Sequence, residues 1–167
     1  AGIGGVKRHA ALVPLSRQHH DGLALGVMIQ RGLREGAGPA STAEVARLRT
    51  QALDLWQLEF RGHFEVEEQI VFPAARKAVE PGLVDALVAE HEQIRQRFAA
   101  LEQASVAEAG PLLDDLRAAL VRHIRTEERV LFQAMQEALD EQQLEALGRS
   151  VDDALPTLCL SLGSAAG

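Results

Sequence analysis

The stretch HFEVEEQIVF (residues 63–72) has a counterpart in HIRTEERVLF (residues 123–132), 60 positions further along the chain. In each stretch a histidine precedes a glutamate by four positions. Side chains four residues apart stack on one face of an α-helix, so each histidine and its glutamate can address a single point. The two stretches therefore predict two helices that present the same pair of polar groups.

The helix face that carries these pairs, His63 with Glu67 and His123 with Glu127, is apolar. The positions three and seven before each histidine and seven after it are occupied by Phe60, Trp56 and Ile70 in one stretch and by Leu120, Leu116 and Val130 in the other. An imidazole and a carboxylate in such a stripe need partners, because an isolated buried charge is costly. Two structural His–Glu ion pairs would meet that need, but the repetition on two apolar stripes favours a metal ion.

The second glutamate of each stretch, Glu68 or Glu128, lies five positions after the histidine. At 3.6 residues per turn this position is well off the apolar face. We therefore expect both carboxylates to be in solvent, paired with nearby Arg or Gln side chains and without a functional role.

The composition, together with the positions of glycine, proline and helix-capping residues, predicts an all-α chain. Aromatic residues make up only 4% of it and tyrosine is absent, whereas Ala, Leu, Glu, Arg and Gln are abundant. The first predicted helix ends near Leu33, before a glycine-rich break at 34–40, and the second runs from the Ser41–Glu44 capping box to about Val79, with a kink or end near Pro73. A third helix follows Pro81 and extends to about Gln103, and a fourth begins at Ala109-Gly110-Pro111. A short fifth helix is capped by Asp140 and Gln143 and ends before Pro156.

Connections this short between amphipathic helices favour antiparallel neighbours. We therefore expect an up-down antiparallel four-helix bundle with a short C-terminal extra helix. The whole chain, residues 1–167, is expected to be one domain, with the bundle over about 7–139 and the extra helix over about 141–155.

Two more histidines lie on apolar stripes. His91 shares its helix face with Leu83, Leu87, Ile94 and Phe98, and His19 shares its face with Leu12, Leu15 and Leu23. The next residue, His20, is expected at the edge of its helix, as a solvated side chain. His9 is expected about 15 Å from His19 along a helix axis, too far to join the others. Gly22 and Gly26 follow on the His19 side, where close helix packing is favoured over a ligand pocket.

The candidate metal ligands are thus His19, His63, Glu67, His91, His123 and Glu127. Six nitrogen and oxygen ligands without sulfur exceed the needs of one tetrahedral zinc and fit two metals bridged by the two carboxylates. Mixed imidazole and carboxylate ligation suits iron or manganese better than magnesium or calcium.

This set of motifs, in this order over residues 12–135, resembles the haemerythrin-like (HHE cation-binding) family. The resemblance implies a non-haem di-iron centre with two iron ions, bridged by Glu67 and Glu127 and by an oxo or hydroxo group, with the histidines as terminal ligands. It also implies a small diatomic or peroxide ligand, since family members bind oxygen, handle nitric oxide or respond to oxidative stress.

One departure concerns the oxygen-carrying haemerythrins, which have a further histidine four positions after the third-helix histidine and use His-x-x-x-x-Asp in the fourth helix. Here Arg95 stands at the first position and Glu127 follows His123 by four. Two histidines per iron would leave both metals with an open position, which favours reaction with oxygen, peroxide or nitric oxide over reversible carriage. Any enzymatic activity would be at most a weak oxidase or peroxidase.

Charge and cysteine content restrict the other function classes. With 17 Lys plus Arg against 24 Asp plus Glu, the net charge of −7 disfavours nucleic-acid and membrane-surface binding. One cysteine, Cys159, and an N-terminus without a long apolar segment lead us to expect a cytoplasmic protein. Oxygen or iron storage without turnover, and a structural interaction module with a single-metal or metal-free core, remain the alternatives. The oligomeric state is left open.

Overall fold

The computed structural model describes residues 7–34 and 38–163, the last seven of them by their backbone alone. Within these ranges the secondary structure is entirely helical, which confirms the all-α prediction. The five helices are α1 (Val13–Arg34), α2 (42–75), α3 (Pro81–Gln103), α4 (106–138) and α5 (Glu141–Gly163). The predicted glycine-rich break falls in part on residues 35–37, which lie outside the described ranges.

Side-chain caps begin α2 and α5. The Ser41 hydroxyl accepts the backbone N–H of Glu44 at 3.1 Å, as predicted, but the Glu44 carboxylate pairs with Arg47 instead of returning to Ser41. Asp140 and Gln143 accept each other's backbone N–H groups at 2.9 and 2.8 Å. The reciprocal cap predicted for the last helix is therefore confirmed.

α4 begins earlier than predicted, at Val106 instead of near Pro111. Ser105 and Glu108 form a reciprocal capping box that starts the helix five residues upstream of the proline. Pro111 then lies inside the helix, where the carbonyl that lacks an N–H partner belongs to the exposed residue Ala107.

α5 is longer than the short helix predicted over about 141–155, because it continues through Pro156 to Gly163. A proline removes one backbone N–H, and the carbonyl left without it belongs to Asp152. Asp152 is exposed, so water can take that hydrogen bond and the helix need not end.

α2 and α4 contain π turns, in which a backbone N–H bonds the carbonyl five residues earlier. The π turns are Trp56–Phe60 and Glu67–Val71 in α2 and Glu127–Leu131 in α4. In the last two, the carbonyls of Glu67 and Glu127 accept the N–H groups of Phe72 and Phe132. The candidate ligands Glu67 and Glu127 therefore each begin a π turn.

These π turns change which residues face the core. Each inserts one extra residue, so the helical phase shifts by one position after the glutamate. Val71 and Leu131 are fully buried, whereas Ile70 is only half-buried and Val130 is 49% exposed. The prediction that Ile70 and Val130 belong to the apolar stripe was therefore wrong, since it assumed 3.6 residues per turn throughout.

The buried apolar residues form two clusters. Cluster A contains Leu25 and Ile29 from α1, Val45, Leu48, Ala52, Phe60 and Phe64 from α2, Ile94, Phe98 and Leu101 from α3, and six residues of α4 from Ala109 to Ile124. Cluster B contains Leu12 and Leu15, Val66, Val71, Phe72 and Ala75 from α2, Val84 and Leu87 from α3, Leu131, Phe132 and Met135 from α4, and Leu147 and Val151 from α5. In α1 to α4 the candidate histidine lies between the residues of cluster A and those of cluster B.

Close packing of α1 depends on its glycines. A Cβ atom on Gly22 would lie 2.6 Å from Phe60 Cζ and 2.7 Å from Ile124 Cδ1, and one on Gly26 would lie 2.7 Å from Val121 Cγ2. Neighbouring helices already fill this space, so the packing interpretation is the one the contacts favour. No helix in the described part of the chain is both long and apolar enough to cross a membrane.

Candidate metal centre

Six polar side chains meet between clusters A and B, each at most 1% exposed. They are His19 from α1, His63 and Glu67 from α2, His91 from α3, and His123 and Glu127 from α4. Potential ligand atoms fall into two groups, within each of which they lie no more than 4.8 Å apart: His19, His63, Glu67 and Glu127, and His91, His123, Glu67 and Glu127. Both carboxylates belong to both groups.

The Nε2 atoms of the histidines point at these two carboxylates. Within the repeated motif, His63 Nε2 lies 3.0 Å from Glu67 and His123 Nε2 lies 3.0 Å from Glu127. Contacts between helices are similar: His19 Nε2 lies 2.9 Å from Glu127, and His91 Nε2 lies 3.3 Å from Glu67. Each glutamate therefore faces histidines of both groups, as a bridging carboxylate would.

The outward Nδ1 atoms contact polar side chains of other helices. His63 Nδ1 lies 2.7 Å from Gln18 Oε1, His91 Nδ1 lies 3.4 Å from Glu68, His123 Nδ1 lies 2.7 Å from Glu90, and His19 Nδ1 lies 2.7 Å from Glu128. These contacts form a closed ring, since α1 supports the histidine of α2, α2 that of α3, α3 that of α4, and α4 that of α1. At His19, His63 and His123 the acceptor 2.7 Å away holds the N–H on Nδ1 and leaves the Nε2 lone pair for a metal.

Glu68 and Glu128 are therefore not the solvated side chains that were predicted. Their side chains are only 26% and 23% exposed, and each faces the histidine of a neighbouring helix. Arg95 pairs with Glu68, and Arg8 donates to Glu128 at 2.8 Å. The prediction was correct that the fifth position leaves the histidine's own face, but that position lies at the contact between two helices.

The buried atoms lack a satisfactory set of partners without a cation. Both oxygens of Glu67 and of Glu127, Nε2 of His123, and both ring nitrogens of His91 have no partner with hydrogen-bond geometry. His19 Nε2 and His63 Nε2 lie 3.0 Å apart. If both histidines keep their proton on Nδ1, two lone pairs face each other across that distance, which a cation would resolve. The residues present thus fit a metal centre.

Without a cation, protons must balance the charges of the cluster. Burial alone would lower the pKa of His19, but the carboxylates of Glu127 and Glu128 raise it to about 10. For His123 the contact with Glu127 likewise outweighs burial and raises the pKa to about 9. For His63 burial prevails and lowers the pKa. Metal ligation needs neutral imidazoles, so a cation competes with protons for these nitrogens.

Aromatic rings line the cluster. Phe64 stacks on His91 with 3.8 Å between ring centroids, and Phe132 stacks on His19 at 5.5 Å. Phe60 lies 5.1 Å from His63 in the same measure. These rings fix the imidazole planes and keep water away from the carboxylates.

A family model matches the part of the chain that carries these four histidines and two glutamates. The model of the hemerythrin HHE cation-binding domain matches residues 12–135 of the chain. The chain belongs to this family. Comparison with curated proteins and with solved structures gave no match. The family resemblance that the sequence motifs suggested is confirmed, over the same residues.

The two remaining histidines, His20 and His9, lie outside the buried cluster. His20 is exposed beside the buried His19, in agreement with the predicted helical phase. His9 lies outside the matched residues, and its Nε2 contacts Glu141 at 2.9 Å, at the start of α5.

Gln18 and Glu90 were missed by the sequence analysis. Each immediately precedes a candidate ligand, His19 or His91, and each contacts the histidine of the next helix. The sequence does show a polar residue next to each of these histidines. It does not show which histidine that residue contacts, because the partner lies at least 33 positions away.

Proposed function

We propose that this HHE domain holds two metal ions in a non-haem di-iron centre that binds or reacts with oxygen, peroxide or nitric oxide. His19 and His63 would serve one ion, His91 and His123 the other, and Glu67 and Glu127 would bridge the two. The observation that carries the proposal is that the two four-residue groups share both carboxylates. A single tetrahedral zinc would leave two of the six buried groups unused.

The bound irons would supply the redox chemistry toward these small oxidants. The residues of the chain hold the centre in place through one side chain from each of four helices and a second from two of them. The outer hydrogen bonds keep the Nδ1 protons of His19, His63 and His123 in place. The phenylalanine rings exclude bulk water from a site whose candidate ligands are at most 1% exposed. A closed apolar site of this kind suits a small uncharged ligand or peroxide. We propose a cytoplasmic role in the sensing of, or response to, oxidative or nitrosative stress.

We further propose that α1 to α4 form an up-down bundle that, with α5, makes one domain. α1 and α3 place their earlier residues in cluster B and their later ones in cluster A, and α2 and α4 do the reverse. The ring of Nδ1 contacts joins each helix to the next and α4 back to α1, as expected of four helices around one axis.

Metal analysis of the purified protein, combined with an ultraviolet–visible spectrum, tests the proposed centre. We expect two irons per chain and the near-ultraviolet absorption of an oxo-bridged ferric pair. Zinc, or one metal per chain, would contradict the proposal. Mixing with peroxide or nitric oxide should change the spectrum, and an unchanged spectrum would remove the proposed reactivity.

Variants locate the metal. Glu67→Ala and Glu127→Ala should each lose both irons while the helix content by circular dichroism stays close to that of the parent. Glu137→Ala is the matched control, because Glu137 is an exposed carboxylate on α4. Retention of two irons by Glu67→Ala or Glu127→Ala would show that the substituted glutamate is not a bridge.

A further inference from the structure

The ring of outer contacts has one member that differs from the rest. His19 and His123 have a carboxylate 2.7 Å from Nδ1, and His91 Nδ1 lies 3.4 Å from the carboxylate of Glu68 without hydrogen-bond geometry, whereas His63 has the amide oxygen of Gln18 at 2.7 Å. His63 is fully buried and its Nε2 points at Glu67, so its Nδ1 carries the proton that the amide oxygen accepts. The two groups of candidate ligands, which have the same composition, therefore differ in what stands behind them.

The charges behind the histidines differ as well. The outer contacts of His19 and His63 contain one carboxylate, that of Glu128, and one guanidinium, that of Arg8, which donates a hydrogen bond to Glu128. The Ser16 hydroxyl also donates to Glu128, at 2.6 Å. The outer charge of this group sums to zero.

Behind His91 and His123 stand two carboxylates, Glu68 and Glu90, and one guanidinium, Arg95. Among the described residues, Glu90 forms no ion pair with a lysine or arginine, and its contact is with His123 Nδ1 at 2.7 Å. Arg95 also lies 3.8 Å from a third carboxylate, Glu65, so the outer charge of this group is −1 or more negative. A carboxylate that accepts the Nδ1 proton raises the basicity of the imidazole as a ligand, and a neutral amide does so less.

We propose that the two metal positions are unequal: the His91–His123 position takes a divalent cation first and more tightly, the His19–His63 position takes the second, and Gln18 is the positioning residue that sets the difference. This inference rests on the proposed two-metal centre. The weaker position is the one next to α1, where the Gln18 amide accepts the Nδ1 proton of His63.

Stepwise titration of metal-free protein with Co²⁺, in competition with a chelator and followed by visible absorbance, tests the order. The parent should show two steps. Changes in outer contacts alter metal affinity by about 10–100-fold. Glu90→Gln should therefore weaken the first step by about that factor and leave the second nearly unchanged, and Gln18→Glu should strengthen the second step until the two approach each other. Glu92→Gln, an exposed carboxylate next to His91, is the matched control for loss of charge alone.

A second measurement needs no variant. Crystals grown with one equivalent of Co²⁺ and measured at the cobalt absorption edge should show anomalous density between His91 and His123. Density shared equally between the two positions, density at His19 and His63, or a second step unaffected by Gln18→Glu would overturn the inference. Two equal Co²⁺ sites would leave the two-metal centre intact, whereas binding of one ion or none would remove the proposed centre itself.

Discussion

At the residue scale, the neighbours of the ligands matter as much as the ligands. Gln18, Glu68, Glu90 and Glu128 each stand directly beside a candidate ligand in the sequence and contact a histidine of another helix. Adjacent helical residues point about 100° apart, so one faces the buried cluster of candidate ligands and the other faces the neighbouring helix. A single turn of helix thereby supplies a candidate ligand to the buried cluster and a polar contact to the next histidine.

The histidine doublet of α1 offers a direct test of helical phase. His19→Ala removes a buried candidate ligand that contacts Glu127, so we expect the iron content to fall from two toward one or none. His20→Ala removes an exposed side chain one position away and should leave two irons per chain. Metal analysis of both variants by atomic emission provides the comparison. If His20→Ala lost iron and His19→Ala kept both irons, the rotation of α1 described here would be wrong.

At the scale of the helical element, the π turns of α2 and α4 decide which apolar residues are buried. The second π turn of α2 and the π turn of α4 each begin at a candidate bridging glutamate and end one residue before a buried phenylalanine. In a regular α-helix the seventh residue after the histidine would be in the core, and here it is the eighth. A π turn at a ligand residue is a common feature of functional sites in helices.

Neighbouring residues in α4 test the phase shift. Leu131 is fully buried, so Leu131→Ala should lower the free energy of unfolding by about 2–5 kcal/mol. Val130 is 49% exposed, so Val130→Ala should change the free energy of unfolding by about 0.5 kcal/mol or less. Urea denaturation of the metal-free proteins measures both. A larger loss for Val130→Ala than for Leu131→Ala would mean that α4 keeps a regular phase.

A carboxylate pair between α1 and α2 makes stability depend on pH away from the metal centre. Burial and the carboxylate of Asp21 raise the pKa of Glu59 from 4.5 to about 8. Asp54 lines the same groove of about 360 Å³ and adds a further negative charge. The folded protein thus binds the Glu59 proton more tightly than the unfolded chain does. This contribution to stability is complete below pH 4.5 and is lost as the pH rises through about 8.

Glu59→Gln should remove that dependence. We expect the free energy of unfolding of the variant to exceed that of the parent at pH 9 and to approach it at pH 5. Denaturant titrations of the metal-free proteins at both pH values give the comparison. Glu137→Gln, which changes an exposed carboxylate of α4, should follow the parent at both pH values. Parallel pH profiles for Glu59→Gln and the parent would contradict a raised pKa.

At the scale of the whole molecule, the proposed metals would join helices that are distant in the sequence. Every helix from α1 to α4 contributes at least one candidate ligand, and the two apolar clusters on either side hold the same helices together. The clusters are large enough that we expect a folded metal-free protein. Because ligands bind the folded state and not the unfolded one, the metals should add stability by mass action.

Thermal unfolding with and without a chelator tests this coupling. A free metal concentration of about 100 times the dissociation constant adds about 2.7 kcal/mol per site. For a chain of this size that corresponds to a rise of about 5–10 °C in Tm for one site. Glu67→Ala, which should hold no metal, is expected to show the same Tm with and without chelator. A parent protein whose Tm does not respond to metal would contradict the coupling.

The sequence by itself determined the helical fold class, the inward phase of His19, His63, His91 and His123, and the pairing of two histidines with glutamates. These follow from local geometry, because residues four apart on a helix share a face whatever surrounds it. Only the tertiary structure decided the roles of Gln18, Glu68, Glu90 and Glu128, and the burial of Val71 and Leu131 in place of Ile70 and Val130. Those features depend on which helices are in contact and on π turns that interrupt the regular helical period. A period of 3.6 residues along the sequence gives no information about either.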